Sequence, residues 1–246
     1  MATSQLPHHI SQQFDKELND LRAKVLSMGG LVEDHLQKAL DALSKSDSEL
    51  AEYVATNDYK VNRLEVEIDD ECSAILLRRQ PAAGDLRLVL SISKTITDLE
   101  RIGDEVEKVG RIALGLIGSE SPKAYYIGII AMGNHVRRML HEALDAFARM
   151  DSSSAFQVAL EDPEVDKEYD AILRQLITYM MEDPRSITRV LDAVLAVRAF
   201  ERVGDHANNI CENIIYFVEG KDIRHTSLED IEQELQLSRE SKDTKE

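Results

Sequence analysis

The stretch LVLSISKTITDLERIGDEVEKVGRIALGL, residues 88–116, is apolar at a helical period along its whole length. Its Leu, Ile, Val and Ala side chains recur three or four residues apart, at positions 88, 92, 96, 99, 102, 106, 109, 113 and 116. This spacing places side chains on one face of an α-helix, and no strand-like alternation competes with it. The stretch therefore predicts a long amphipathic helix.

The same period recurs through most of the chain, and Pro, Gly, Asp and Ser residues divide it into segments. The pattern predicts six helical segments, at about 8–44, 48–79, 85–117, 122–150, 153–182 and 186–219. Pro163 interrupts the fifth segment near its start and should kink it or delay its first regular turn. Short connections make successive helices antiparallel, so the predicted fold is all-α, with two tandem three-helix bundles.

The chain contains an internal duplication. The sequence ERIGD at 100–104 matches ERVGD at 201–205, whereas ALDAL at 39–43 matches ALDAF at 143–147, so the offset between matching residues changes from 101 to 104. A three-residue length difference must lie between the two matches. If it lies in the turn after the second helix, Asn62 aligns with Asp166. If it lies before the second helix, Glu65 and Asp69 align with Asp166 and Asp170, and the sequence leaves both alignments open.

The duplication divides the chain into three parts. We expect residues 1–118 to form the first repeat, residues 119–220 the second repeat, and residues 221–246 a polar tail. The last ten or so residues of the tail are a mixed-charge run that is typical of a disordered terminus.

The composition excludes several classes of protein. With 46 acidic and 29 basic residues the formal net charge is −17, and this field repels nucleic acids and anionic lipids. We therefore expect no nucleic-acid partner and membrane contact only through proteins. Cys72 and Cys211 are the only cysteines, which fits two inert buried thiols in a reducing compartment. No secretory leader or membrane-spanning run is visible, so a cytoplasmic location is expected.

Each repeat carries a Glu and an Asp four residues apart in the middle of an apolar helix. Glu100 and Asp104, and likewise Glu201 and Asp205, share one helical face because four residues make about one turn. Like charges at this spacing repel each other. A hard cation between them would make the interaction favourable, because carboxylate oxygens are its preferred ligands. The pairs therefore make two candidate metal sites.

Further oxygen donors lie one turn along the same helix and on the second helix of each repeat. They are Glu107 on the helix of the first pair, and Asn62, Glu65, Asp69, Asp166 and Asp170 on the second helices. Asp104 also has Lys108 four residues on, and Glu107 has Arg111. These ion pairs are equally typical of a solvated acidic face that holds no metal, and the residue pattern alone does not decide between the two interpretations.

A glycine stands inside each acidic motif. Gly103 and Gly204 each lower helix propensity by about 1 kcal/mol relative to Ala. Close approach of a neighbouring backbone or of an ion is one way to compensate for this loss.

Four ordered blocks of sequence resemble the PhoU family of accessory regulators of bacterial phosphate transport. The blocks are RRQPAAGDLRLVLSISKTITDLERIGDEVEKV (78–109), RQLITYMMEDPRSI (174–187), ERVGDHANNICENIIY (201–216) and EGKDIRH (219–225), and the likeness runs from about Phe14 to His225. In that family Glu/Asp-x-x-x-Asp motifs are associated with metal clusters on the bundle surface. The resemblance thus implies metal binding at Glu100, Asp104, Glu201 and Asp205. Hard divalent or trivalent ions such as Fe, Mn, Mg or Zn would fit, and the identity of the metal stays open.

The resemblance also implies a function. It implies a non-enzymatic adaptor that links the ATPase subunit of the phosphate ABC transporter to a sensor histidine kinase and represses the phosphate-starvation response when phosphate is sufficient. It further implies a homodimer that reaches the inner membrane peripherally, through these partners. Glu107 is matched by Asn208, a departure that suggests that the two metal sites differ in charge.

Two other functions remain open from the residues alone. One is a carboxylate-bridged metal hydrolase or oxidase that uses the same side chains, although it lacks an evident histidine ligand and general base. The other is a helical scaffold whose acidic rows hold no metal.

Overall fold

The computed structural model describes residues 12–117 and 124–220, and every regular element in these ranges is helical. The helices are α1 (Gln12–Lys45), α2 (Ser48–Asn57), α3 (Tyr59–Arg79), α4 (Ala83–Leu116), α5 (Ala124–Arg149), α6 (Ser152–Ala159), α7 (Asp162–Glu182) and α8 (Ile187–Glu219), with a 3₁₀ turn at Pro184–Ser186 before α8. The predicted all-α fold is confirmed. Four predictions lie outside the described residues: the helix starts at residues 8 and 122, the repeat boundary at 118/119 and the tail at 221–246.

The second and fifth predicted segments are each broken near their start. Between α6 and α7, Pro163 occupies the first turn of α7, where its missing N–H leaves no bond unmade, and the expected delay of that helix is confirmed. Between α2 and α3 the break falls at Asp58 and involves no proline. The prediction of one uninterrupted helix over 48–79 was wrong there, because a small bend leaves the apolar period intact.

The short helices α2 and α6 start in the same way. Asp47 accepts hydrogen bonds from the backbone N–H groups of Glu49 and Leu50 at 3.0 and 3.1 Å. Asp151 does the same for Ser153 and Ser154, also at 3.0 and 3.1 Å. A side-chain oxygen that accepts from the first helical N–H groups is the standard N-cap. These caps begin a new helix after α1 and after α5, at equivalent points of the two repeats.

The core confirms the helical period of the opening stretch. The nine positions of that period, from Leu88 to Leu116, are all buried in α4. α4 packs against α1, α2 and α3, and α8 packs against α5, α6 and α7, so each repeat is a three-helix bundle whose second helix is broken. Cys72 and Cys211 are buried as expected, and burial raises the pKa of both thiols, that of Cys72 to about 12.

The main contact between the bundles runs between α4 and α8, and α1 also packs against α5. Asp98 meets His206, with 3.0 Å between Oδ1 and Nδ1, and Glu105 meets Arg202 at 2.6 Å. Residues later in α4 therefore face residues earlier in α8, and the two helices are antiparallel. None of the helices in residues 12–117 and 124–220 combines the length and the apolar character needed to cross a bilayer.

The structure also favours one of the two repeat alignments. Val61 of α3 packs beside Gly103, and Val165 of α7 packs beside Gly204, each 3.3 Å from the position that a Cβ would occupy. The offset of 104 residues therefore continues through the second helix. The length difference lies in the turn that follows it, and Asn62 aligns with Asp166.

Candidate metal sites

The break between α2 and α3 adds a third carboxylate to the acidic row of α4. Oxygen atoms of Asp58, Asp104 and Glu107 lie within 4.8 Å of one another. Asp58 is only 5% exposed, and its Oδ1 has no hydrogen-bond donor within the described ranges. Burial, and then the nearby charges of Asp104 and Glu107, raise the pKa of Asp58 to about 6. A buried acceptor without a donor, beside two further carboxylates, fits the coordination of a cation.

Gly103 makes this arrangement possible. A Cβ at this position would lie 2.6 Å from Oδ1 of Asp58 and 3.3 Å from Cγ1 of Val61, so any side chain would displace α3 or the Asp58 carboxylate. The low helix propensity of glycine thus accompanies a close approach, but the group that approaches is a side-chain carboxylate and not the neighbouring backbone that was expected.

Glu100, Asn62 and Glu65 complete the first cluster. Burial, and then Asp104, raise the pKa of Glu100, and Glu65 of α3 acts in the same direction. Asn62, one turn into α3, hydrogen-bonds Asp58 and partly opposes the rise in its pKa. The structure therefore brings together every predicted residue of the first site except Asp69. Asp69 instead accepts a hydrogen bond of 3.1 Å from Ser93, about two turns away along α4.

The second cluster forms at the equivalent place between α7 and α8. Burial, and then Asp205 and Asp166, raise the pKa of Asp162 to about 6. Burial, and then the charge of Asp205, raise the pKa of Glu201. Burial, and then the charge of Asp166, raise the pKa of Asp205. Four carboxylates thus lie close enough to repel one another. Asp170, one turn farther along α7, is exposed, and the contacts that define the cluster do not include it.

The second cluster also has oxygen atoms without donors. Oε1 of Glu201 accepts from Arg198, but its Oε2 is buried and has no donor in the part of the chain that the structure describes. The same holds for Oδ1 of Asn208. Both clusters therefore contain the kind of unsatisfied oxygen that a hard cation would coordinate.

The two clusters differ by two compensating exchanges. Asn62 of the first corresponds to Asp166 of the second, whereas Glu107 of the first corresponds to Asn208 of the second. With Glu65, which corresponds to Tyr169, the first cluster has five carboxylates and one amide, and the second has four carboxylates and one amide. The exchange on the second helix therefore compensates for that of Glu107 and Asn208, and the remaining difference in charge comes from Glu65.

Sequence reasoning missed Asp58 and Asp162, which are the most strongly perturbed carboxylates of the two clusters. A signal existed, because the two residues match at the 104-residue offset that relates ALDAL to ALDAF. The oxygen-only donor sets match hard divalent or trivalent cations better than soft ones. Occupancy by metal remains a prediction.

Comparison with known proteins agrees with the duplicated architecture. A model of the PhoU domain matches residues 25–113 and 129–214. The phosphate-specific transport system accessory protein PhoU homolog of Pseudomonas aeruginosa is 52% identical over 235 residues, which are 95% of this chain and 97% of the relative. The phosphate-specific transport system accessory protein PhoU of Escherichia coli K12 is 47% identical over 232 residues, covering 94% and 96% of the two chains.

Solved structures show the same fold. The crystal structure of PhoU from Pseudomonas aeruginosa superposes with a TM-score of 0.82 at 52% identity and covers 85% of this chain and 100% of that one. The phosphate transport system regulatory protein PhoU from Streptococcus pneumoniae gives a TM-score of 0.79 at 32% identity, covering 85% and 99%. The PhoU domain matches twice, and identity of about half extends over nearly the full length of the chain. The chain therefore belongs to the PhoU family.

Proposed function

We propose that the protein is the regulatory accessory protein of a phosphate-specific transport system. In this proposal it couples the ATPase subunit of the phosphate ABC transporter to a sensor histidine kinase and represses the phosphate-starvation response when phosphate is sufficient. The observation that supports the proposal is identity of 47–52%, over 94–95% of the chain, to proteins named as accessory proteins of the phosphate-specific transport system. The role is that of an adaptor and not of an enzyme.

The carboxylate clusters would serve this role as metal sites. Asp58, Glu100, Asp104 and Glu107 would hold one cation, and Asp162, Asp166, Glu201 and Asp205 the other. A bound cation supplies the positive charge that offsets the repulsion among these carboxylates. Asp58 stands at the start of α3, and Asp162 and Asp166 lie in the first turns of α7, whereas Glu100, Asp104 and Glu107 belong to α4 and Glu201 and Asp205 to α8. Metal would therefore tie the second helix of each bundle to the third and stiffen the surface that meets the partners.

A reporter experiment tests the regulatory proposal. Deletion of the gene should raise expression of phosphate-starvation genes in phosphate-rich medium, and the wild-type gene supplied in trans should restore repression. Expression that stays low after deletion would contradict the proposed regulation.

Partner binding requires its own test. We propose that the chain forms a homodimer and reaches the membrane only through its partners. Pull-down of the transporter ATPase subunit and of the kinase, with sedimentation of the purified chain, tests both points. A monomer at micromolar concentration that captures neither partner would contradict this part. Turnover of a phosphoester by the metal-loaded chain would instead favour a hydrolase.

A further inference from the structure

The duplication places two equivalent grooves along the antiparallel seam of α4 and α8, and their chemistry has diverged. One groove lies around Asp98 and is lined by the neutral side chains of Thr97 and Asn209, among others. At the equivalent positions, 101 residues away in the sequence, the other groove has Arg198 and Lys108. One copy of the groove has thus become basic.

We call the second groove the cationic groove, and it encloses about 500 Å³. Its charged walls carry four cations, Lys108 and Arg111 of α4 and Arg198 and Arg202 of α8, with the apolar side chains of Ile112 and Leu195 between them. The buried Glu105 also lines the groove and pairs with Lys108 at 2.9 Å and with Arg202 at 2.6 Å. Four cations around one groove stand out in a chain of net charge −17. Such a groove attracts an acidic ligand that also carries apolar side chains.

An apolar row extends the cationic groove along α8. Leu195 is 58% exposed, and Leu191 and Ile187, four and eight residues earlier, are 50% and 42% exposed. Residues four apart lie on one helical face, so the three side chains form a stripe. A stripe of exposed aliphatic residues beside a charged groove is typical of a surface that binds an amphipathic helix.

Arg111 and Arg198 of the groove each pair with a carboxylate of one of the two candidate metal sites. Arg111 pairs with Glu107 of the first cluster at 2.6 Å, and Arg198 pairs with Glu201 of the second at 2.5 Å. A metal ion on either cluster would neutralise the charge that now faces the guanidinium group. Metal at both sites would therefore leave Arg111 and Arg198 without a counter-charge, and the groove would attract anions more strongly.

We propose that the cationic groove is the docking site of the chain's own acidic segment SLEDIEQELQLS, residues 227–238, and that metal at the two carboxylate clusters favours docking. The second part rests on the proposed metal sites, whereas the first does not. The segment contains four acidic residues, Glu229, Asp230, Glu232 and Glu234, and it contains no basic residue. In a helix, Leu228, Ile231 and Leu235 would share one face and could pack on Leu195, the end of the stripe that lies in the groove.

The length of the connecting chain suits this docking. The 18 residues of α8 from Arg202 to Gly220 rise about 27 Å. The eight steps of chain from Gly220 to Leu228 span at most about 26–29 Å. An extended linker that turns back along α8 would therefore bring Leu228 level with Arg202. A helix from that point would run past Leu195, because three turns extend about 16 Å.

A spin label on the segment tests the proposal in the full-length chain. Gln233→Cys provides the attachment point, on the face opposite Leu228 and Leu235, while burial protects Cys72 and Cys211 from the reagent. The label should be mobile in chelator and become predominantly immobilised when Mg²⁺ or Zn²⁺ is added. A label at Thr244→Cys, beyond the segment, is the matched control and should stay mobile throughout.

Charge exchange identifies the occupant. Arg111→Glu with Arg198→Glu should keep the label mobile in the presence of metal, and adding Glu232→Arg with Glu234→Arg should restore immobilisation. Glu107→Gln with Glu201→Gln should immobilise the label in chelator, since these changes leave the same two arginines without a counter-charge.

The outcomes separate docking from metal binding. Immobilisation in the glutamine variant together with no response of the wild type to metal would support the docking site and overturn its control by metal. A label that is equally mobile in every variant and condition would overturn the docking site. Immobilisation that disappears on dilution would also overturn it, because the occupant would then be a second copy of the chain.

Discussion

Oδ1 of Asp58 lies 2.6 Å from the position that a Cβ on Gly103 would occupy, so the two residues from different helices fit only because one of them has no side chain. The same carboxylate oxygen is buried and has no hydrogen-bond donor within the described part of the chain. Gly103 lowers the stability of its helix, and it makes room for a buried carboxylate that lowers the stability of the core. A cation coordinated by this oxygen would offset the free-energy cost of burying the carboxylate.

Gly103→Ala tests this relationship. The added methyl group should displace Asp58 from Asp104 and Glu107 and lower metal affinity at the first site at least about tenfold, since misplaced ligands weaken metal binding. Gly204→Ala is the matched control, because its Cβ would meet only methyl groups of Val165 and Val136 at 3.3 and 3.4 Å. Calorimetric titration measures both. Equal losses in the two variants would contradict the role assigned to Gly103.

The raised pKa values of Asp58 and Asp162 predict how stability depends on pH without metal. Both groups have a pKa of about 6 in the folded chain against an ordinary value of 3.8, so between these values the folded chain binds more protons than the unfolded chain. The free energy of unfolding should therefore fall as pH rises from about 4 to about 7, by roughly 1–2 kcal/mol from Asp58. Urea unfolding in chelator at several pH values measures the change.

Asp58→Asn with Asp162→Asn is the control for this pH effect. Asparagine does not titrate, so the double variant should lose less stability than the wild type between pH 4 and pH 7. With metal present the wild type should behave in the opposite way, because only the ionised carboxylates bind metal, and stabilisation by metal should decline below about pH 6. Identical pH profiles for wild type and double variant in chelator would contradict the assigned pKa values.

The seam between the bundles should depend on Asp98. Its carboxylate contacts His206 at 3.0 Å and accepts from Asn209 and Asn213 at 3.1 and 3.3 Å. Asp98→Ala leaves these groups without an acceptor and should lower the free energy of unfolding by about 1–3 kcal/mol. Asp145→Ala, which removes only an exposed ion pair with Arg149, should change it by less than about 1 kcal/mol. Urea unfolding compares them, and equal effects would contradict a structural role for Asp98.

Two adjacent glycines of α1 should respond oppositely to alanine. A Cβ on Gly29 would clash with Leu144 of α5, whereas a Cβ on Gly30 would have no neighbour within 4 Å. Gly29→Ala should destabilise the fold by about 1–3 kcal/mol through overpacking. Gly30→Ala should stabilise it by about 1 kcal/mol through helix propensity. Thermal unfolding measures the pair, and shifts of the same sign would contradict the contact between α1 and α5.

The sequence predicted the features that depend on local pattern. All nine positions of the apolar period in residues 88–116 are buried, and the repeated acidic motifs located the third helices of the two bundles. Pro163 marked the break before α7. Each of these signals is contained within a few turns of one helix, and so needs no knowledge of how the helices pack.

Features that depend on packing were out of reach of the sequence. Asp58 lies at a break without proline, and only the approach of α3 to α4 shows that it joins Asp104. Asp69 and Asp170 looked equivalent to the other acidic residues because helical spacing does not show which turns of two helices meet. The cationic groove becomes visible only once α4 and α8 are known to be antiparallel, since Lys108 and Arg198 are 90 residues apart in the sequence.

Calorimetric metal titration of the full-length chain at pH 7, after treatment with chelator, tests the central claim most directly. The wild type should bind metal at two sites. Asp58→Asn with Asp104→Asn should abolish one of them, Asp162→Asn with Asp205→Asn should abolish the other, and Asp69→Asn with Asp170→Asn should leave both. An absence of binding to the wild type, or binding that neither of the first two double variants reduces, would contradict the account.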